Sequence, residues 1–388
     1  MSGTVEQHAP SVGTAFAIDV PDAVLEDLQR RLANTRLPAH ETGGGWKDGI
    51  TVAFANRLLT YWRDCFDWRA QEVRFNRFAQ RMVNVDGRLI HVLIEPGSGP
   101  NPLPLLLANG WPSSFVEFDQ VIERLAHPER FGGKVEDAFT IVVPAMPGFG
   151  FSPPPPAPTP VQDFAPVWDH LMAREFGFDR YVAVGSDWGS LVVASLAFQH
   201  TGVLRAVMLT TTGGFIDPAG GGTPPTEEEL SWLSKLGVPG PESAYQAIQA
   251  AKPQSLAFAQ TDSPLGLAAW ITEKFQGWTC PGTEADPPFD MDDLIANVMI
   301  YWLNGCAAPM WPYAFLRQAV LPQGAKAGVP AGFMFFPADL SEAPPKSYLE
   351  RAYDVAHYRV HDKGGHFPAQ EVPELFVSEV TQFFRPYR

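Results

Sequence analysis

Two hydrophobic periods alternate along the chain. Near the N-terminus apolar residues recur every three or four positions, with Leu25, Leu28 and Leu32 following Phe16-Ala17-Ile18-Asp19-Val20-Pro21, and Val52, Ala55, Leu59 and Trp62 following Thr51. This spacing predicts two amphipathic helices. The first starts near Asp19 or Pro21 and ends at Arg36-Leu37-Pro38, and the second opens at Thr51 after the loop Gly43-Gly44-Gly45-Trp46. Two such helices cannot close a core alone, so residues 1–80 read as an N-terminal extension packed on the rest of the chain.

From Met82 the period shortens. Met82-Val83-Asn84-Val85 and Leu89 to Ile94 flank Asp86-Gly87-Arg88, a hairpin signature in which His91 is expected to be a paired strand histidine. Leu103 to Ala108 and Phe139 to Val143 are continuous apolar runs, the kind buried on both faces of a parallel sheet. Tyr181 to Gly185, Leu204 to Leu209, Gly332 to Phe336 and Tyr358-Arg359-Val360 extend the series, with helical stretches between them such as Val161 to Glu175. The proline run Pro153 to Pro160 reads as a stiff surface connection. Alternating strands and helices predict the α/β class, with a doubly wound, mostly parallel sheet. Residues 210–323 break the rhythm, being Gly/Pro-rich from Gly220 to Pro225 and then mainly helical. An insertion at the carboxyl edge of the sheet is placed to roof a pocket, so this segment reads as a cap between two parts of the core, 81–209 and 324–388.

Composition narrows the function. A net charge of −15 over 388 residues, with no basic stripe, argues against a nucleic-acid partner. Three widely spaced cysteines, Cys65, Cys280 and Cys306, make neither a disulfide framework nor a metal cluster and suit a reducing compartment. Met1 to Thr14 has no basic or apolar leader character, and no apolar run is long enough to span a bilayer. The expectation is a soluble cytoplasmic protein without metal or cofactor, its self-association as a homodimer left open.

The chemistry centres on Tyr181-Val182-Ala183-Val184-Gly185-Ser186-Asp187-Trp188-Gly189-Ser190, a strand that stops at a glycine and restarts as a helix. Gly-x-Asp-x-Gly has the form of the nucleophile elbow of the α/β-hydrolase fold, with aspartate at the nucleophile position. Aspartate there needs no deprotonation at neutral pH and can attack an electrophilic carbon, leaving an ester for water to cleave. The bland alternative is a strand-to-helix turn whose aspartate caps the helix.

With Asn109-Gly110-Trp111-Pro112-Ser113-Ser114-Phe115, Asp262-Ser263-Pro264-Leu265-Gly266-Leu267-Ala268-Ala269-Trp270 and Gly364-Gly365-His366-Phe367, the elbow resembles the epoxide hydrolases of the α/β-hydrolase fold. The likeness is to the branch that includes the microsomal, juvenile-hormone and many bacterial enzymes, and it covers nearly the whole chain with its N-terminal helical extension. It implies an α/β-hydrolase core with a helical cap. Its substrates would be an epoxide and water, in xenobiotic breakdown or antibiotic biosynthesis. The resemblance puts the nucleophile on Asp187, the general base on His366 and the orienting acid on Asp339, with Asp362 as rival. Backbone N–H groups of Trp111 and Trp188 would hold the oxyanion. Most relatives begin the upstream loop with His where this chain has Asn109. Two cap tyrosines would give a hydrogen bond and a proton to the ring oxygen. The first falls on Tyr245; the second falls on Tyr313 if one gap is allowed, with Ala314 at the ungapped position and Tyr301 as a substitute. Trp111, Phe149, Trp188 and Trp270 suggest an apolar pocket suited to aryl or alkyl epoxides.

Two rival functions use the same frame. A haloalkane or haloacid dehalogenase also has an aspartate nucleophile but needs halide-binding donors in place of acid tyrosines. A non-catalytic relative would bind a small apolar ligand, and such proteins usually lose a triad member.

Overall fold

The computed structural model describes residues 12–218, 223–236, 240–279 and 286–388. Nine strands form one sheet: β1 (Thr14–Phe16), β2 (Ala79–Val85), β3 (Arg88–Glu95), β4 (Leu103–Ala108), β5 (Phe139–Pro144), β6 (Tyr181–Gly185), β7 (Leu204–Leu209), β8 (Pro330–Phe335) and β9 (Asp354–Val360). Their order is β1-β2-β3-β5-β4-β6-β7-β8-β9. The β1/β2, β2/β3 and β3/β5 pairs are antiparallel. All later pairs are parallel.

The continuous apolar runs occupy the middle of the sheet, as their lack of alternation requires: Leu105, Leu106, Leu107 and Ala108 of β4 are fully buried. The helix Trp188–Gln199 is apolar on every side and buried from Trp188 to Ala197. That is the signature of a helix packed all round. At the β2–β3 turn Asp86 and Gly87 both take positive φ, 50° and 81°, which suits the Asp-Gly pair. His91 lies in β3 with Nε2 2.8 Å from Gln80 Oε1.

The two expected N-terminal helices are Asp22–Ala33 and Val52–Asp64. The Thr51 hydroxyl caps the second by accepting from Phe54 N–H at 3.1 Å. Two further elements have no clear signal in the pattern. The strand β1 is only three residues long, too short to show a period. The helix Trp68–Asn76 is polar in composition, and its place comes from Asp67, which accepts from the Arg69 and Ala70 amides, and from buried Trp68, Glu72 and Phe75. Because β2 begins at Ala79, the boundary drawn after residue 80 falls inside a strand.

Between β7 and β8 lie the helices Glu227–Lys235, Ala244–Ala251, Pro253–Asp262, Pro264–Gly277 and Met291–Asn304, and the 3-10 turns of Ala308–Gln318. The Gly/Pro-rich segment falls partly outside the described residues, and Cys280 and residues 1–11 fall wholly outside them. Arg74 of the helix Trp68–Asn76 ties three layers together, 2.7 Å from Asp119 of the core and 2.7 Å from Asp293 of the helix Met291–Asn304. No helix among the described residues is long and apolar enough to cross a membrane.

Candidate active site

The chain leaves β6 at Gly185 and enters a helix at Trp188, so Asp187 must reverse direction within one residue. It does so with φ 48° and ψ −125°, a conformation costly for any residue but glycine. Close packing makes the flanking glycines necessary. A methyl at Gly189 would overlap the Ala108 carbonyl, and one at Gly110 would overlap the Asp187 carboxylate and the Trp188 amide. The turn is fixed by Ser186 N–H donating to Ala108 O at 2.9 Å and Ser190 N–H to Asp187 O at 3.0 Å. The Asp187 side chain therefore stands at a helix N-terminus, where the backbone dipole favours negative charge.

One carboxylate oxygen of Asp187, Oδ1, accepts from Trp111 N–H at 2.8 Å. The other, Oδ2, lies 3.3 Å from His366 Nε2 without the angle of a good hydrogen bond. His366 follows Gly364 (φ 93°) and Gly365 and is anchored by its own N–H to the Trp278 carbonyl at 2.9 Å. Its Nδ1 is 2.6 Å from Asp339 Oδ1. Burial alone would push the His366 pKa down, but Asp339 and Asp187 outweigh it and hold it well above the ordinary histidine value. Asp362, the rival acid, is exposed on the bend after β9.

Above the carboxylate sit Tyr245, from the helix Ala244–Ala251, and Tyr313, from the 3-10 segment, their rings 5.5 Å apart. Tyr245 stacks on Trp111 at 5.0 Å, and Tyr313 meets Trp188 edge-on at 4.9 Å. The Tyr313 hydroxyl is buried with no well-formed hydrogen bond, and the Tyr245 hydroxyl accepts from Gln246 at 3.3 Å. Burial first, and then nearby negative charge including Asp187, raise both phenols above their ordinary pKa. Both therefore stay protonated at neutral pH. Tyr301 is committed elsewhere: its hydroxyl donates to the Ser113 carbonyl at 2.6 Å, bracing the loop that carries Trp111.

A cavity of about 240 Å³ opens onto Asp187, His366, Tyr245 and Tyr313. Of the four aromatics expected to line it, only Trp188 does; the rest of the apolar wall is mainly Leu191, Leu236, Leu316, Phe335 and Leu340. Trp111 packs beneath Tyr245, Phe149 against Tyr301, and Trp270 donates to Gln249 Oε1 at 2.9 Å. Asn109 reaches Gly110 O at 3.2 Å and Ser113 Oγ at 3.3 Å, inside its own loop.

Two charged residues near the site escape the sequence pattern. Glu117, 2% exposed, accepts from Ser113 Oγ at 2.6 Å and Ser186 Oγ at 3.2 Å, linking the Trp111 loop to the elbow. Burial pushes its pKa up to about 7 against those hydrogen bonds. A glutamate in the otherwise apolar run Phe115-Val116-Glu117-Phe118 is the one signal that could have marked it. The other is Lys274, buried beside Tyr245. Among the described residues no His/Cys/Asp/Glu group could hold a metal ion.

Residues 13–118 match the family described as "Epoxide hydrolase N terminus", and residues 104–237 match "alpha/beta hydrolase fold". The chain is 37% identical over 379 residues to a "Putative epoxide hydrolase" of Stigmatella aurantiaca, covering 97% of this chain and 85% of that protein. It is 31% identical over 403 residues to "Epoxide hydrolase 1" of Oryctolagus cuniculus, covering 95% and 88%. Among solved structures, the epoxide hydrolase of Aspergillus niger superposes with a TM-score of 0.81 at 27% identity, covering 97% of each chain. The juvenile hormone epoxide hydrolase of Bombyx mori gives 0.82 at 25%, covering 99% of this chain and 96% of that one.

Proposed function

Because the chain belongs to the epoxide hydrolase family of the α/β-hydrolase fold, we propose that it opens epoxides with Asp187 as nucleophile and cleaves the resulting ester with His366 as base. The observation that carries this reading is the split use of one carboxylate at the cavity wall: Oδ1 is held by Trp111 N–H while Oδ2 lies beside His366.

In the first step Asp187 Oδ2 forms a bond to one ring carbon as the ring C–O bond breaks. The ring oxygen takes a proton from Tyr245 or Tyr313, leaving a phenolate. An alkoxide is a poor leaving group at neutral pH, so this proton transfer is what lets the ring open. Esterification removes the negative charge next to His366 and with it part of what kept the imidazole protonated. The proton His366 then releases balances the one the phenolate recovers, and the neutral imidazole is ready as a base when it is needed.

In the second step His366 Nε2 takes a proton from water as its oxygen attacks the ester carbon. The charge on Oδ1 is met by the N–H groups of Trp111 and Trp188. Collapse expels the diol oxygen, which takes the proton back from His366. The regenerated carboxyl then gives its proton to His366, restoring the resting pair. Asp339 keeps the imidazole oriented and stabilises its charged form. The leucine-rich wall favours apolar aryl or alkyl epoxides, and the free thiols Cys65 and Cys306 are in keeping with a cytoplasmic setting.

The test is product analysis. Incubation with phenyl- and alkyl-substituted epoxides, and separately with haloalkanes of matching size, should give vicinal diol from the first and no halide from the second. Halide release without diol formation would overturn the assignment.

A further inference from the structure

The helix Pro264–Gly277 carries Trp270 and Lys274 and is capped by Trp278. Residues four apart share one helix face, so these three side chains form a ladder. The Lys274 ammonium lies 5.0 Å from the centroid of the Tyr245 ring and 5.8 Å from each tryptophan ring. Its side chain is 5% exposed, and its ion pair is with Glu273, whose side chain is also largely buried at 18% exposed. Trp270 also ties this helix to the one bearing Tyr245, through Gln249 one turn beyond the tyrosine.

Burying an ammonium is costly, and an uncharged chain of the same length would fill this space without that cost. Charge is what lysine adds here. The ammonium is drawn to the ring by the ring's quadrupole, and the attraction grows when the ring becomes negative. Ring opening does that to Tyr245, because the phenol gives up its proton to the epoxide oxygen.

We propose that Lys274 is a positioning residue for ring opening, a buried cation that holds the Tyr245 ring against Trp111 and stabilises the phenolate formed as Tyr245 protonates the substrate. The proposal rests on Tyr245 acting as an acid. It gives Lys274 no part in ester cleavage, in which Tyr245 does not change charge.

The experiment measures single-turnover alkylation and ester hydrolysis separately in the parent, Lys274→Met, Lys274→Arg, Tyr245→Phe and the double variant Lys274→Met/Tyr245→Phe. Lys274→Met should slow alkylation roughly tenfold and leave hydrolysis at the parent rate, a modest share of what a general acid supplies. Arginine, which keeps the charge, should recover most of the loss. In the Tyr245→Phe background the lysine substitution should change alkylation less than about twofold, since no phenolate remains to stabilise. Should the methionine variant not fold, Lys274→Gln serves as the neutral form. The proposal is overturned if the neutral variant alkylates at the parent rate, or if it slows alkylation equally with and without the Tyr245 hydroxyl. A parent-like Tyr245→Phe would instead strike at the tyrosine assignment.

Discussion

The floor and the roof of the cavity are held by different means. Asp187, Asp339 and His366 stand two, four and six residues beyond the ends of β6, β8 and β9, so the register of three parallel strands sets their spacing. Tyr245 and Tyr313 come from two separate cap segments and are set by ring contacts with Trp111, Trp188 and each other. Hydrogen bonds tie the roof to the loops of the floor: Tyr301 to Ser113, Asn297 to Pro112, and Asn304 to Ser152 at 3.0 Å. In the proposed mechanism the floor carries out the displacement and the roof assists it. Loss of a floor residue should therefore stop a chemical step, and loss of one roof residue should only slow one.

The largest effect is expected from Asp187→Asn. An amide is a far weaker nucleophile, and alkylation should fall on the order of 10⁴-fold or more. Stopped-flow alkylation with excess enzyme checks this in protein shown by mass to be undeamidated. His366→Gln comes next and divides the two steps. Alkylation should survive, whereas ester hydrolysis should fall by roughly 10²–10⁴, so intact mass should show protein heavier by one substrate molecule.

The roof should behave otherwise. Tyr245→Phe and Tyr313→Phe should each slow alkylation only in part, and the double variant should lose about 10²-fold or more. Tyr301→Phe should alkylate at the parent rate while costing about 1 kcal/mol of stability, the worth of one buried hydrogen bond. If Tyr301→Phe slows alkylation and Tyr313→Phe does not, the roof has been assigned wrongly.

Glu117 gives an effect read in stability rather than in a chemical rate. Its pKa is raised by burial from 4.5 to about 7 in the folded protein. Its stabilising contribution is thus present below pH 4.5 and lost as pH rises through 7. Between about pH 5 and 8 the parent should lose on the order of 2 kcal/mol that Glu117→Gln does not lose. Urea unfolding of both proteins at steps across that pH range measures the difference; parallel curves would contradict the buried, proton-holding glutamate.

The same division explains what could be read from the sequence. Strand ends leave local marks: glycines at 185, 189, 364 and 365 surround Asp187 and His366 because the backbone turns sharply or packs closely there. The roof leaves weaker marks, since a tyrosine in a cap helix looks alike whether it faces a cavity or, as Tyr301 does, a backbone carbonyl. Aromatic character alone points Phe149 and Trp270 to the pocket, yet they pack behind it. Glu117 leaves only a faint mark, one charge in an apolar run, and Lys274, beside Glu273 in the chain, shows its ring contacts only after folding. The helix Trp68–Asn76 has the same origin, its ion pairs to Asp119 and Asp293 being far apart in the chain.

The central claim is that Asp187 itself supplies an oxygen to the diol. A single turnover with enzyme in excess, run in water enriched in heavy oxygen, tests it directly. In the proposed mechanism water attacks the ester carbon, so the first diol should carry no label and the peptide containing Asp187 should gain one heavy oxygen. Label in the diol with none in Asp187 would mean that water opens the ring directly, and the account of the floor would be wrong.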